Sequence, residues 1–209
     1  GKSFVAQFAD YPELLRSQRF WGYVFAAAFA SGSFFAFLGG APFVATEVYG
    51  LSALWSGVGF GAPAIGYAIG NAISGRFATR VGIDRLIQLG AVIATAGLAL
   101  ASVLSAMNLG TAWSFFAFCT FVGLGNGLVM PNATAGLLSV RPQLAGTASG
   151  LGGAIMIGGG AALSTIAGVV LVGRSSDLPL LLLMTTSSAL SIAAIEWVKY
   201  RARQVRAQT

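Results

Sequence analysis

Six side chains inside long uncharged stretches of this sequence are of types that bind rather than react: Phe29, Ser33, Phe37, Tyr67, Asn126 and Met156. Phe29, Ser33 and Phe37 recur every four residues, so on a helix they fall along one face. An aromatic stripe with few polar groups suits an apolar, aromatic ligand held by stacking and van der Waals contact, with few fixed hydrogen bonds. The same side chains would serve equally as lipid or helix-packing contacts, and Asn71 and Asn126 as interhelical hydrogen-bond partners. Covalent chemistry has little to build on. The chain has no His and a single cysteine, Cys119, in the middle of an apolar run. A His-based triad or metal site and an internal disulfide are therefore excluded. With no paired intramembrane acids and no nucleophile–base set, the sequence reads as a non-enzyme without metal or cofactor.

The elements that would carry these residues follow from composition. Of 209 residues, 56% are hydrophobic and only 9% charged, with a mean hydropathy of +0.80. Soluble domains carry about 25% charge. The net charge of +6 does not point to nucleic acid, because the charges stand in short clusters between long apolar runs, as membrane flanks do. A spanning helix needs about 20 apolar residues. Six such spans fit, at 20–39, 53–74, 86–106, 111–133, 145–172 and 178–197, within a transmembrane domain over 19–198. Leu86 to Val140 is uncharged and too long for one helix; Asn108-Leu109-Gly110 supplies a turn within it. Residues 1–18 read as a cytoplasmic linker and 199–209 as a basic cytoplasmic tail. The expectation is an all-α membrane protein of six transmembrane helices, not a β-barrel, whose strands would be about 10 residues with alternating polarity.

Orientation follows from Lys and Arg. Eleven of the twelve fall on one side: Lys2, Arg16, Arg19, Arg76, Arg80, Arg85, Arg141, Lys199, Arg201, Arg203 and Arg206, with Arg174 alone on the other. That side is expected to be cytoplasmic and to hold both termini. No charge is expected at membrane depth. Glu47 falls at the outer end of the first span, Glu196 at the inner end of the sixth within reach of Lys199, and Asp84 beside Arg85. A proton-carrying acid would then lie outside this chain. Gly66, Gly70 and Ser74 form a small-xxx-small ridge for close helix contact. The second, fourth and fifth spans are Gly-rich and, with the first, are expected to flank a cavity. The third and sixth, mostly Leu, Ala and Ile, are expected to be an outer, lipid-facing pair. The chain begins with Gly1 rather than Met, which we read as a fragment of a longer protein.

The segment after the second span reads Gly75-Arg76-Phe77-Ala78-Thr79-Arg80-Val81-Gly82-Ile83-Asp84-Arg85. It resembles the Gly-x-x-x-Asp-Arg-x-Gly-Arg-Arg loop of the major facilitator superfamily, with Gly75, Arg80, Gly82 and Arg85 matching and Thr79 standing where the family has Asp. Pro42-Phe43-Val44 with Glu47-Val48-Tyr49-Gly50-Leu51-Ser52, Pro131-Asn132-Ala133-Thr134-Ala135 and Ala145-Gly146-Thr147-Ala148-Ser149 narrow the likeness. Together they resemble the C-terminal half of the bicyclomycin/chloramphenicol-resistance drug:proton antiporters. The resemblance implies helices 7 to 12 of a twelve-helix fold, with substrate bound between two halves at mid-membrane. It implies a conformational latch at Gly75, Arg76, Arg80, Gly82 and Arg85. It implies proton-driven efflux of small amphipathic or aromatic drugs across a bacterial inner membrane. The implied partners are the bilayer, the drug, and either a missing N-terminal half or a second copy of this chain. A dedicated metabolite transporter and a non-transporting scaffold are the alternatives.

Overall fold

The structure is a computed structural model and describes residues 3–209, the side chains of Phe4, Gln7 and Asp10 excepted. Lys2, one of the eleven charges expected to be cytoplasmic, lies outside the described residues, as do the first two residues of the 1–18 segment. Seven α-helices follow in order: α1 (Phe4–Leu15), α2 (Gln18–Phe43), α3 (Ala53–Val81), α4 (Ile83–Ala106), α5 (Ala112–Ser139), α6 (Ala145–Leu171) and α7 (Leu178–Ala207). A π-helical turn, Val44–Val48, continues α2, and a 3-10 turn, Pro142–Leu144, precedes α6. There is no strand among the described residues.

Helix starts follow local chemistry. The hydroxyls of Ser17 and Ser52 accept from the amides of Phe20 and Trp55 at 3.3 and 3.4 Å. Thr111 and Ser114 cap each other reciprocally at 3.1 and 2.9 Å. The turn expected at Asn108-Leu109-Gly110 is present, with Asn108 in the left-handed region.

Helix ends depart from the sequence reading. α2 runs through Pro42 to Phe43 rather than stopping near 39, because Val44 and Ala45 are fully buried and hold the helix past Gly39-Gly40. α3 continues to Val81, so 75–81 is its last two turns and not a loop. Only Gly82, at φ +92°, separates it from α4; a side chain there would be strained. The 1–18 segment contains a helix, and the basic tail is the helical continuation of α7.

The six long helices fall on the six expected stretches. Five are both long and apolar enough to cross a membrane; α3 is long enough, but its glycines and polar groups lower its hydropathy. α2 and α5 pack on each other at the centre. α5 also packs on α3 and α4, α2 on α6 and α7, and α4 on α7. One apolar cluster joins Phe20, Tyr23, Val129, Leu137 and Val198 at the Arg-rich end; a second joins Phe37, Leu98, Phe115, Leu171 and Met184 towards the other.

Lipid tails are as apolar as Leu, so helices in a bilayer are held by close packing and interhelical hydrogen bonds rather than by water exclusion. Both devices appear. The expected ridge of Gly66, Gly70 and Ser74 is buried against α5. There a Cβ on Gly127 would stand 2.5 Å from the Tyr67 carbonyl, and one on Gly123 would strike the Pro63 carbonyl. Ser74 Oγ donates to the Gly127 carbonyl at 2.9 Å and accepts from Asn132 Nδ2 at 3.0 Å. The α2–α7 seam is built of hydroxyls instead. Ser187 and Ser191 donate to the carbonyls of Phe29 and Ala26 at 2.6 and 2.7 Å, and Ser33 donates to that of Met184 at 3.0 Å.

That seam corrects the expectation of α7 as a featureless outer helix. α4 and α7 are indeed placed behind α2 and α5, but the least covered of the six long helices are α3 and α6. Only 17% of the most apolar window of α6 is buried, against 67% for α2.

Candidate functional site

A cleft of about 360 Å³ opens where α2, α3 and α5 meet. α2 contributes Ser31, Phe34 and Phe35; α3 contributes Phe60, Pro63, Ala64 and Tyr67; α5 contributes Gly123, Asn126 and Met130. The tight α3–α5 contact at Gly123 and Pro63 forms one side. The aromatic walls are braced from behind by Phe37, which is 1% exposed. Phe37 stacks on Phe34 at 6.2 Å and meets Phe60 edge-on at 5.7 Å. It also touches Phe115 and Phe116 at 6.2 and 6.4 Å. The cleft is thus faced by rings whose positions are fixed by other rings.

Among the described residues, no charged side chain lines this cleft. Its polar groups are three. The Ser31 hydroxyl is committed to the Ala28 carbonyl at 3.3 Å. Tyr67 is 44% exposed. Asn126 is 6% exposed, and its Oδ1 is buried without a hydrogen-bond partner. The arrangement is suited to holding a ligand. It offers apolar contact, ring stacking and one amide.

Of the six residues singled out from sequence, the structure brings Tyr67 and Asn126 together in the cleft. Phe37 stands behind its wall. Ser33 is fully buried in the α2–α7 seam, where it also accepts from Ser188 at 3.1 Å. Phe29 stacks on Phe25 at 6.0 Å, and Met156 packs against the cluster at the Arg-rich end. The face of α2 turned to the cleft carries Ser31, Phe34 and Phe35 rather than the every-fourth-residue stripe. Phe60 was missed, although it lies two turns before Tyr67 on the same face. Arg76, Arg80 and Arg85, expected to form a latch, are exposed at the Arg-rich end, and Asp84 accepts from Tyr23 Oη at 2.6 Å.

A second, larger groove of about 510 Å³ is lined by Trp55, Val58, Ala62 and Ile65 of α3 with Trp113 and Phe116 of α5. It uses another face of α3 and is apolar throughout apart from its indole nitrogens.

One buried acid escaped the sequence reading. Asp177, the residue before α7, is 4% exposed. It accepts from Tyr49 Oη at 2.6 Å and from the Ser105 hydroxyl. Burial first, and the hydrogen bond to Asp177 second, push the Tyr49 phenol well above its ordinary pKa, so Tyr49 remains the donor. The available signal was a lone acid immediately before an apolar run, opposite Tyr49 and Ser105 at the ends of two others.

The family model described as Major Facilitator Superfamily matches residues 2–165. The chain belongs to this superfamily, and its long apolar helices are those of a multi-pass membrane protein. It is 26% identical over 188 residues to a bicyclomycin resistance protein homolog of Haemophilus influenzae, covering 90% of this chain and 46% of that protein. It is 27% identical over 159 residues to an uncharacterized MFS-type transporter of Bacillus subtilis, covering 75% of this chain and 39% of that protein. The chain therefore spans less than half the length of these curated relatives. No solved structure matches it.

Proposed function

We propose that this chain is the substrate-binding wall of a proton-driven exporter of small amphipathic or aromatic drugs, working by alternating access across a bacterial inner membrane with both termini cytoplasmic. The observation that carries the reading is the ring-walled, uncharged cleft among α2, α3 and α5. Such a wall holds planar apolar molecules by stacking and tolerates variation among them. The bicyclomycin-resistance name of one relative supports a drug as cargo.

The cleft would be closed by a packing partner, either a further six-helix half or a second copy of this chain. Open space at Gly57, Gly61 and Gly75 of α3, and at Gly146, Gly150 and Gly153 of α6, supports such a partner: a Cβ at any of them meets nothing. Everted vesicles carrying the protein, energised to an acid interior, test the function with ethidium as cargo. Uptake that collapses when the pH gradient is dissipated is expected. No gradient-dependent movement of ethidium or of a panel of aromatic drugs would leave the transport reading without support.

A further inference from the structure

We infer that the cleft selects aromatic ligands that carry an N–H or O–H donor, and that Asn126 is the residue that selects them. This rests on the cleft being the binding site. Asn126 is nine-tenths buried, and its Oδ1 has no partner. The neighbouring side chains of Asn132, Ser74 and Asn71 on the same two helices are engaged. Asn132 Nδ2 donates to Ser74 and to the Leu128 carbonyl, Ser74 donates to the Gly127 carbonyl, and Asn71 Nδ2 donates to the Tyr67 carbonyl at 3.0 Å. Two of the three asparagines on α3 and α5 are thus tied down, and the one left free is the one that lines the cleft.

A buried amide oxygen without a donor is unfavourable, and a ligand that supplies the donor removes that penalty. Oδ1 is itself closed off from the cleft, so the ligand's donor meets it after a half-turn about the terminal torsion that exchanges Oδ1 and Nδ2. Phe34 and Phe60 then fix the plane of the ligand ring, and Asn126 fixes its rotation. With no cation among the described residues of the lining, an anionic ligand gains nothing there. A neutral or cationic ring with a polarised N–H fits all three features.

Carbazole and N-methylcarbazole differ only in that donor and are small enough for the cleft. Their binding to the full chain in lipid nanodiscs is followed by the side-chain amide resonances of ¹⁵N-asparagine-labelled protein, with lipid partition subtracted using empty discs. Carbazole is expected to bind about tenfold more tightly, the equivalent of one net hydrogen bond, and to shift the Asn126 amide. In Asn126→Leu the ratio is expected to fall to about one, with N-methylcarbazole binding retained. Equal affinities for the two compounds in the unsubstituted chain overturn the inference while leaving the cleft as a site, as does a ratio that survives in Asn126→Leu. Binding of neither compound overturns the inference together with the cleft reading. A Phe34→Ala variant that binds both as well as the unsubstituted chain does the same.

Discussion

Tyr49 donates a 2.6 Å hydrogen bond to Asp177 and so ties the π-helical end of α2 to the first residue before α7, 128 positions away in sequence. Asp177 also accepts from Ser105 at the end of α4, which joins three helix ends at one buried carboxylate. A π-turn adds a residue to the helix repeat and re-aims the chain beyond it. Here it carries Tyr49 back towards α7, its amide bonding the Val44 carbonyl at 3.1 Å. A buried acid held by neutral donors is stable only while the donors stay protonated and in place.

Tyr49→Phe is therefore expected to destabilise the protein by about 1.5–3 kcal/mol, the range for a hydrogen bond to a charged group. Thermal unfolding in detergent reads this as a lowered Tm. The pH dependence has a defined sign. Tyr49 is raised above the ordinary phenol value in the folded state. Its contribution is fully present below about pH 10, where the unfolded chain begins to ionise, and is lost as pH rises further. Tyr49→Phe should remove part of that alkaline decline.

Gly123→Ala places a methyl against the Pro63 carbonyl, whereas Gly150→Ala places one in open space. The first is expected to force α3 from α5 at a cost of about 1–3 kcal/mol, the second to leave stability within about 0.5 kcal/mol. Tm values of the two variants, compared in one detergent, decide this. Equal shifts would contradict the close α3–α5 packing at Gly123.

Phe37→Ala is expected to act on stability before it acts on selectivity. The ring is fully buried among Phe34, Phe60, Phe115 and Phe116, and its truncation should cost about 3–5 kcal/mol. Phe37→Leu, which keeps most of the volume, should recover the fold yet loosen the wall behind Phe34. Unfolding curves of the two variants check the order, with Phe37→Ala melting well below Phe37→Leu.

Most of the helical plan was legible because it rests on local signals. Uncharged runs mark helices, Asn108-Leu109-Gly110 marks a turn, and Gly66, Gly70 and Ser74 mark a contact ridge that does face α5. Ends were less legible. Pro42 and the 75–81 stretch look like breaks, and tertiary burial of Val44 and Ala45 keeps the first of them helical. The facing of side chains was least legible. Phe29, Ser33 and Phe37 share a face by spacing, but spacing does not say which neighbour that face meets; at Ser33 it is α7. Asn126 and Tyr67 meet because the α3–α5 glycines bring two helices together, a relation between distant segments that no single stretch records. Asp177 falls in the same class, its partners Tyr49 and Ser105 coming from two other helices.

Binding of aromatic cargo in the cleft among α2, α3 and α5 is tested most directly by alkylation of Ala64→Cys, which lines the cleft, in a background carrying Cys119→Ala. Leu109→Cys, in the exposed turn before α5, is the control. Rates of N-ethylmaleimide labelling are measured in membranes with and without saturating ethidium. Ethidium is expected to slow labelling at position 64 several-fold and to leave position 109 unchanged. Unaltered labelling at position 64, with ethidium bound, would contradict the cleft as the cargo site.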